Sequence, residues 1–400
     1  MRVLLSAFAC RPGHGSEQAT GWHWAGALAD LGHEVTVLTM SRHREEILAS
    51  RPQGVDFRFI DIPASPLPRS SELFQTYHIY GRWQDAALRH VAPQAQQYDV
   101  AHHVTWGGLH QGSMLWRLPI PLVYGPVGGG QTAPGGYRRY FGRDWPTEMV
   151  RTAAAGPFLK LIGRCRKTVQ HSAVTLVNNS ETAAACRRLG AADIRYMLAD
   201  GLSADWISDP RSQPQGTPVV LWIGRLLSRK APTLAVEAFA ELRRTTPARL
   251  IMAGDGPLRE QVRATIERLG LTHDVQMLGR VSWAETRSLY DSASVLLFTS
   301  LRESFGAPFI EALGRGLPAV ALDLSGIADA DVGSAAVKVA LPPRAGDLPR
   351  RLGTALQTIL CDHEWESRSA AGIKWAADWV WPVKAATATQ IYQEVVGSKG

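Results

Sequence analysis

Strand-length apolar segments recur along the whole chain, separated by segments with the apolar spacing of amphipathic helices. Their hydrophobicity is continuous rather than alternating, which is typical of strands covered on both faces. A first series of such segments comprises residues 2–8, 33–39, 55–61, 98–104, 120–125 and 173–178. A second series comprises residues 219–224, 248–254, 274–279, 294–300 and 317–323. This pattern predicts an α/β fold in which helices flank parallel sheets.

The two series are separated by SDPRSQPQGTP (residues 208–218), which is rich in residues typical of interdomain linkers. A chain of 400 residues also exceeds the usual size of one domain, about 100 to 200 residues. We therefore expect two doubly wound, Rossmann-like domains, residues 1–207 and 208–382, and a terminal helix over 383–400. Such sheets bind ligands beyond the carboxyl ends of their strands, so the cleft between the domains is the expected active site.

The composition is typical of a soluble globular protein, with 45% hydrophobic and 20% charged residues. No window approaches the ~18 continuous apolar residues of a membrane span, and MRVLLSAFAC is interpreted as the first strand rather than a signal peptide. The four cysteines are widely spaced, which predicts buried thiols in a reducing compartment rather than disulfides or a zinc site. We therefore expect a cytoplasmic protein.

The formal net charge of +7 is concentrated between Gln131 and Gln170. The acidic residues there are Asp144 and Glu148, and the basic residues are Arg138, Arg139, Arg143, Arg151, Lys160, Arg164, Arg166 and Lys167. Interleaved with them are Tyr137, Tyr140, Phe141, Trp145, Phe158, Leu159, Leu161 and Ile162. This mixture indicates an N-terminal-domain surface that faces anionic lipid at the inner side of a membrane, or a phosphorylated acceptor. The alternative is a solvated helix pair; no nucleic-acid-binding motif accompanies the charge, so nucleic acid is not an expected partner.

In the second half, polar or glycine-rich sequence follows three of the strand segments. GRLLSRK (224–230) places Arg225 and Lys230 before a helix that Pro232 is suited to begin. Two cations at a helix start predict an anion site, with a diphosphate as the occupant, although two solvated surface cations are the alternative. GDGP (254–257) predicts a tight turn, either an ordinary one or one that a ligand approaches closely.

ESFGAPFIE (303–311) places two glutamates on either side of a turn. We expect a helix to begin near Pro308, so that Glu303 lies on the loop and Glu311 in the first helical turn. Such a loop presents backbone amides near Phe305 and Gly306 to a phosphate, while the carboxylates accept hydrogen bonds from sugar hydroxyls. The alternative is that both glutamates are exposed acids favoured at a helix start.

Taken together, GRLLSRK, GDGPL, VQMLGRV and the E-x7-E of ESFGAPFIEAL resemble the retaining glycosyltransferases of family 4, which have the two-domain GT-B fold. CRPGHGSEQATGW (10–22) and YGPVGGG (124–130) resemble segments of one branch of that family. The resemblance covers essentially the whole chain, and it implies that the last helix crosses back to the first domain. The tryptophans of KWAADWVWP (374–382) are expected to pack rather than to bind sugar.

The resemblance also implies a role for each matching position. Arg225 and Lys230, with the amides of Phe305 and Gly306, would bind the donor diphosphate beside Gly224 and Ser304. Glu303 would bind hydroxyls of the transferred sugar and Glu311 those of the ribose. The turn at 279–281, with Arg280 and Val281, would lie against the nucleobase. Gly15 and Ser16 would approach the phosphate or the acceptor from the first domain.

One position departs from the family pattern. Many relatives have a histidine after the fifth strand of the first domain, where this chain has Gly125. His102 and His103 are the nearest substitutes, and because neighbours on a strand alternate faces we expect one, His103 in our assignment, to point into the cleft. The alternative is that both are structural.

We interpret the chain as a retaining, metal-independent glycosyltransferase of polysaccharide biosynthesis. It would transfer a hexose from a nucleotide-diphosphate sugar to a hydroxyl of a glycan, lipid-linked or small-molecule acceptor, without a separate cofactor. The DAD sequence at 329–331 resembles a metal motif of a different glycosyltransferase fold, and we predict no metal there. The rival interpretations are a nucleotide-sugar epimerase or hydrolase on the same architecture, and a non-catalytic partner subunit.

Overall fold

The computed structural model describes residues 1–13, 15–62, 72–156, 159 and 161–397, with backbone only at residues 16 and 72–74. The strands are β1 Arg2–Ala7, β2 Glu34–Thr39, β3 Val55–Phe59, β4 Val100–Thr105, β5 Leu122–Val127, β6 Val174–Val177, β7 Ile194–Tyr196, β8 Val219–Ile223, β9 Arg249–Ala253, β10 Val275–Gly279, β11 Val295–Phe298, β12 Ala319–Leu322 and β13 Ala336–Val339. The helices are α1 Ser16–Asp30, α2 Arg44–Ala49, α3 Glu72–Val91, α4 Arg138–Phe141, α5 Trp145–Ala155, α6 Gly163–His171, α7 Ser180–Leu189, α8 Pro232–Arg243, α9 Arg259–Arg268, α10 Trp283–Ser292, α11 Ala307–Gly314, α12 Ser325–Asp329, α13 Leu348–Leu360, α14 Trp365–Ala377 and α15 Trp381–Gly397.

The chain divides into two compact units. The first unit consists of Met1–Gly130, Ala153–Gly201 and Trp381–Gly400, and the second consists of Gln131–Thr152 and Leu202–Val380. This division differs from the predicted domains in three ways. The first unit resumes at Trp381, two residues before the predicted start of the terminal helix at residue 383. The second unit begins at Leu202 rather than at residue 208, and it also includes residues 131–152, which the sequence analysis placed in the first domain.

In the first unit, the described strands form one parallel sheet in the order β3-β2-β1-β4-β5-β6-β7. Every residue of β4 and β5 is buried, as expected for strands that are covered on both faces. One hydrophobic cluster joins the sheet to α1 and α15 through Trp24, Ala388 and Tyr392. A second cluster joins it to α3, α6 and α7 and includes Tyr80 and Trp83. The unit is therefore a layered α/β/α structure.

In the second unit, the described strands form a parallel sheet in the order β10-β9-β8-β11-β12-β13. Each sheet thus has its first strand in the middle, and the strand order reverses beside it, between β1 and β4 or between β8 and β11. Ligands bind Rossmann-like sheets beyond the carboxyl ends of the strands at this reversal. In the second unit, the loops after β8 and β11 occupy that position.

Two strands were not predicted from the sequence, and the burial of one cysteine was predicted wrongly. The strands β7 and β13 were not predicted; β7 has only three residues, none of them buried, so its hydrophobic signal is weak. Three of the four cysteines are buried as expected, whereas Cys361 is exposed.

The terminal helix α15 belongs to the first unit, where Lys384 anchors it. Lys384 is 1% exposed, and its ammonium donates hydrogen bonds to the carbonyl oxygens of Ala199 (3.2 Å) and Asp200 (2.8 Å). Its Nζ also lies 4.2 Å from the ring centroid of Trp381 and 5.5 Å from that of Trp24. Burial lowers the pKa of Lys384 to about 7, against a smaller opposing effect of the Asp200 carboxylate. The helix is therefore held by a buried amine that titrates near neutral pH.

This burial makes the stability of the protein depend on pH. The unfolded chain keeps Lys384 protonated to about pH 10.4, so above pH 7 the folded protein binds fewer protons. Relative to Lys384→Met, the unfolding free energy of the wild type should therefore rise with pH, by at most about 1.4 kcal/mol per pH unit. Urea unfolding of both proteins from about pH 6 to about pH 9 measures this difference. Lys374→Met, which removes an exposed lysine of α14, serves as the control substitution. A difference between wild type and Lys384→Met that falls or stays constant with pH would contradict the assignment.

Candidate functional site

Backbone hydrogen bonds connect the loops at the carboxyl edge of the second sheet. Leu226 N donates to Asp255 O (3.0 Å), Gly254 N to Gly279 O (2.7 Å) and Leu301 N to Arg229 O (2.8 Å). A Cβ atom on Gly254 would lie 2.0 Å from the carbonyl oxygen of Gly224. The glycine at 254 is therefore required by the approach of a neighbouring loop. The loops after β8, β9, β10 and β11 form one connected edge.

Two cations contact the first glutamate of the E-x7-E sequence. Lys230 Nζ is in direct contact with Glu303 Oε2, and Arg229 Nη1 donates to the same oxygen at 2.6 Å. Lys230 is 8% exposed, and its ammonium lies 5.3 Å from the ring centroid of Phe298. The 3-10 helix Ser228–Lys230 presents both cations to one carboxylate. The structure thus brings Lys230 and Glu303 together and adds Arg229, which the sequence analysis did not select.

This cluster fixes the charge of the glutamate. Burial by itself would raise the pKa of Glu303, but the charges of Lys230 and Arg229 outweigh it and lower that pKa to about 2. Glu303 is therefore a carboxylate at neutral pH and acts as a hydrogen-bond acceptor. It also compensates part of the positive charge beside it.

The other donor-site candidates differ in how exposed they are. Gly224 begins the loop after β8, and the exposed Arg225 follows it. Arg280 is exposed and Val281 is half-buried, directly after β10. Ser304 is half-buried, next to Glu303. All these positions lie on loops at the same edge of the sheet.

The turn between the glutamates is held by aromatic packing. The side chain of Phe305 is 2% exposed and stacks on Trp375 with ring centroids 5.8 Å apart, so Trp375 packs as expected. Gly306 has φ = +114° and precedes α11, which begins at Ala307 with Pro308 in its first turn. The predicted helix start near Pro308 is confirmed. The amides that precede α11 are thus held in place by a buried ring.

The second glutamate has a different environment. Glu311 is the fifth residue of α11, beyond the first turn in which it was expected. Its Oε2 accepts a hydrogen bond from the buried Tyr290 hydroxyl at 2.7 Å. Its backbone carbonyl accepts one from Trp206 Nε1 at 2.9 Å. Glu311 is therefore oriented by a neutral phenol, whereas Glu303 is oriented by cations.

Three further candidates belong to the first unit. Gly15 is the exposed N-cap of α1, Ser16 is its first residue, and the Ser16 side chain lies outside the described part of the structure. The expectation for the histidines is corrected, since both side chains are fully buried. His102 contacts Tyr392 Oη (2.6 Å) and Gly125 O (2.8 Å).

His103 Nε2 contacts Tyr80 Oη (3.2 Å) and Trp106 O (3.3 Å). Burial lowers the pKa of His102 to about 3 and that of His103 to about 4, so both rings are neutral at pH 7. The two rings do point to opposite faces of the sheet, but helices cover both faces. His103 is therefore enclosed by its own unit and has no surface to offer a substrate in this structure.

The basic segment is not one surface of the first domain. Residues 131–152 pack within the second unit, where Tyr137 Oη donates to Pro342 O at 2.5 Å. Arg139 Nη2 and Tyr140 Oη both bind the Glu237 carboxylate, at 2.9 and 2.8 Å. The side chains of Tyr137, Tyr140, Phe141 and Leu159 are buried, while Phe158 and Lys160 lie outside the described residues. Four of the eight aromatic or apolar side chains expected at a membrane surface are therefore buried, whereas Leu161 is 78% exposed.

Glu148 is one of the two acidic residues of the same segment, and nothing in the sequence indicated a role for it. It is 1% exposed, and its carboxylate binds the guanidinium of Arg302, the residue before Glu303. No sequence motif marks this pair, because the two residues are 154 positions apart.

Neither a metal centre nor a membrane span was found in the described parts of the chain. In those ranges, no group of three or more His, Cys, Asp or Glu side chains is arranged to hold a metal ion. None of the helices described above is both long and apolar enough to cross a bilayer.

Residues 206–347, which include the loops just described, match the sequence model of the family "Glycosyl transferases group 1". The chain is also 31% identical over 191 residues to D-inositol 3-phosphate glycosyltransferase from Corynebacterium diphtheriae, covering 45% of this chain and 43% of that protein. These matches support a glycosyltransferase. The chain spans less than half the length of the first curated relatives that it matches.

Solved structures establish the fold. Sucrose-phosphate synthase from Thermosynechococcus elongatus is similar over 100% of both chains, with a TM-score of 0.70 and 17% identity. Anabaena HepE, solved in complex with UDP, is similar over 98% of this chain and 100% of that chain, with a TM-score of 0.64 and 16% identity. The fold is GT-B, as predicted, with two Rossmann-like units.

The conformation of Gly306 gives a direct test of the loop geometry. Gly306→Ala should destabilise the protein by at least about 2 kcal/mol, because φ is positive and the new Cβ would lie 2.5 Å from Phe298 Cζ. Gly333→Ala is the matched control, since Gly333 has φ = +54° but no atom within 4 Å of the added Cβ. It should cost only about 1 kcal/mol. Chemical unfolding of both variants measures the two costs, and equal costs would show that Phe298 does not constrain the loop.

Proposed function

We propose that the protein is a retaining glycosyltransferase that moves a hexose from a nucleotide-diphosphate sugar to an acceptor hydroxyl. The observation that carries this proposal is the cluster of Lys230, Arg229 and Glu303. It lies where the strand order reverses, inside the region that matches the glycosyltransferase family model. A site that combines buried positive charge with an ionised acceptor suits a ligand that carries both phosphates and hydroxyls.

The donor would occupy the edge formed by the loops after β8, β10 and β11. Lys230, Arg225 and the amides of Phe305 and Gly306 would bind the diphosphate. Glu303 would accept hydrogen bonds from the transferred sugar and Glu311 from the ribose, while the turn at 279–281 lies against the base. The UDP complex of the structural neighbour HepE makes UDP the first nucleotide to test.

The proposed chemistry is stabilisation of the leaving group. As the bond between the sugar and the phosphate breaks, negative charge develops on the nucleoside diphosphate, and preorganised cations and amides bind that charge more strongly than the ground state. Lys230 and Arg225 would supply this charge without a metal ion. The sugar acquires oxocarbenium character, and the leaving phosphate would help to deprotonate the acceptor on the same face.

The acceptor would be a glycan, a lipid-linked sugar or a small molecule, bound by the first unit beside Gly15 and Ser16. An epimerase or hydrolase would instead consume the donor without an acceptor. Product analysis of incubations with donor alone separates these activities, since a transferase should release free sugar only slowly.

Replacing Glu303 and replacing Glu311 should have different effects on UDP binding. Glu311→Ala should weaken the binding of UDP by about ten- to a hundredfold, because charge-assisted hydrogen bonds to ribose are lost. Glu303→Ala should leave UDP affinity unchanged or increased, because it frees the charges of Lys230 and Arg229, and it should reduce transfer. Calorimetric titration with UDP alone separates the two, with the exposed Glu260→Ala on α9 as the control. Equal losses of UDP affinity at positions 303 and 311 would overturn the assigned roles.

Replacing Arg225 and replacing Lys230 should have similar effects on transfer but different effects on stability. Arg225→Ala should lower kcat/KM by a factor that corresponds to a loss of about 2 to 4 kcal/mol of transition-state stabilisation. It should not change the stability of the fold, because Arg225 is exposed. Lys230→Ala should cause a similar loss and also lower the melting temperature, because the variant leaves the Glu303 carboxylate with one cation fewer. Steady-state kinetics and thermal unfolding measure both effects, with the exposed Arg350→Ala of α13 as the control. Wild-type turnover in either site variant would refute a diphosphate site.

A further inference from the structure

Residues 131–152 reach the candidate donor loop through one buried carboxylate. The chain leaves the first unit at Gly130 and re-enters it at Ala153, so these residues complete the second unit. Within this segment, α4 packs against the 3-10 helix Ser228–Lys230. The segment therefore contacts the element that supplies both cations of the cluster.

Glu148 makes a two-point contact with Arg302. Arg302 Nε contacts Glu148 Oε2, and Arg302 Nη2 donates to Glu148 Oε1 at 3.1 Å. Arg151 Nη1 also binds Oε1, at 2.6 Å. The Glu148 side chain is 1% exposed and that of Arg302 is 15% exposed, whereas Arg151 is 46% exposed. The main partner of the buried carboxylate is thus Arg302, in a geometry that fixes the orientation of its guanidinium.

The backbone of Arg302 is tied to the cation cluster. Leu301 N and Arg302 N both point to the carbonyl oxygen of Arg229, at 2.8 and 3.4 Å. The side chain of Arg229 in turn binds Glu303. The backbone of Arg302 is therefore held by Arg229 of the cluster, and its side chain is held by Glu148.

We propose that Glu148 is a positioning residue that holds the loop 299–306 in the conformation required to bind the donor. It would act through Arg302 and would not touch the substrate. Breaking a buried ion pair by removing one charge leaves the other uncompensated, so neutralising Glu148 releases Arg302 and with it the residue next to Glu303. The relevance to donor binding rests on the proposed function, whereas the coupling between Glu148 and the loop does not.

A competing explanation is that Glu148 only anchors segment 131–152. Glu237 of α8 provides the matched control, because it anchors the same segment through Arg139 and Tyr140 but does not contact Arg302. Glu237→Gln should therefore loosen the segment without loosening the loop. Glu148→Gln should loosen both.

Hydrogen exchange of the full chain without ligand tests the coupling. In Glu148→Gln, peptides that cover 299–306 should exchange about tenfold faster than in the wild type, because local opening no longer breaks a buried ion pair. In Glu237→Gln, peptides from 131–152 and from α8 around the substituted residue should change, whereas those that cover 299–306 should not. Unchanged exchange at 299–306 in Glu148→Gln, or the same increase in both variants, would overturn the proposal.

Arg302→Lys is a second variant that keeps the positive charge but loses the two-point contact. It should accelerate exchange at 299–306 like Glu148→Gln, and the double variant should be no worse than the more affected single variant. It keeps the test decisive if Glu148→Gln does not fold. Additive effects in the double variant would show that the residues act independently and would contradict the proposal.

Calorimetry with UDP then links the loop to the site. Glu148→Gln should weaken UDP binding by about three- to thirtyfold, and Glu237→Gln should not. A loop that loosens as expected in a protein that binds UDP with unchanged affinity would overturn the positioning role. If the wild type binds none of UDP, ADP, GDP, CDP and dTDP while exchange responds as expected, the proposed function fails and the coupling stands.

Discussion

Each sheet of this protein is parallel, and this constraint determines where chemistry can occur. A parallel strand must be followed by a crossover before the next strand begins, so the loops that leave the strands gather at one edge. In the second unit this edge carries the loops after β8, β9, β10 and β11, joined by backbone hydrogen bonds. Residues that are far apart in sequence, such as Lys230 and Glu303, therefore meet without a local motif to connect them.

Charge balance determines how that edge can work. Two cations and one carboxylate share a partly buried position, and none of them could be buried alone at acceptable cost. The glutamate pairs with both cations in this structure, and under the proposed function the diphosphate of the donor would compete with it. The second glutamate instead accepts a hydrogen bond from the Tyr290 hydroxyl. The spacing of seven residues thus separates two carboxylates with unlike electrostatic environments.

The fold and most of the candidate site could be predicted from the sequence because both depend on strand ends. Continuous apolar runs gave the strand positions, and the loops that follow them gave Lys230, Glu303 and Glu311. The contact of Arg229 with Glu303 could not be predicted in the same way, because it depends on a single turn of 3-10 helix that presents both adjacent cations to the carboxylate. For His102 and His103 the alternation of faces was correct, but it does not say that helices cover both faces. Likewise, the basic and aromatic residues of segment 131–152 do not indicate which unit the segment packs in, so it was assigned to the first domain although it belongs to the second unit.

The division of the chain has a consequence for the order in which the two units can fold during synthesis. The polypeptide passes between the two units four times, after Gly130, Thr152, Gly201 and Val380. Domains usually fold one after another during synthesis, the N-terminal domain first. Here the sheet of the first unit cannot receive its covering helix α15 until residues 381–397 have left the ribosome, long after its last strand. The second unit, in contrast, has segment 131–152 available before its own first strand is synthesised, so the later-encoded unit can be the first to close its core.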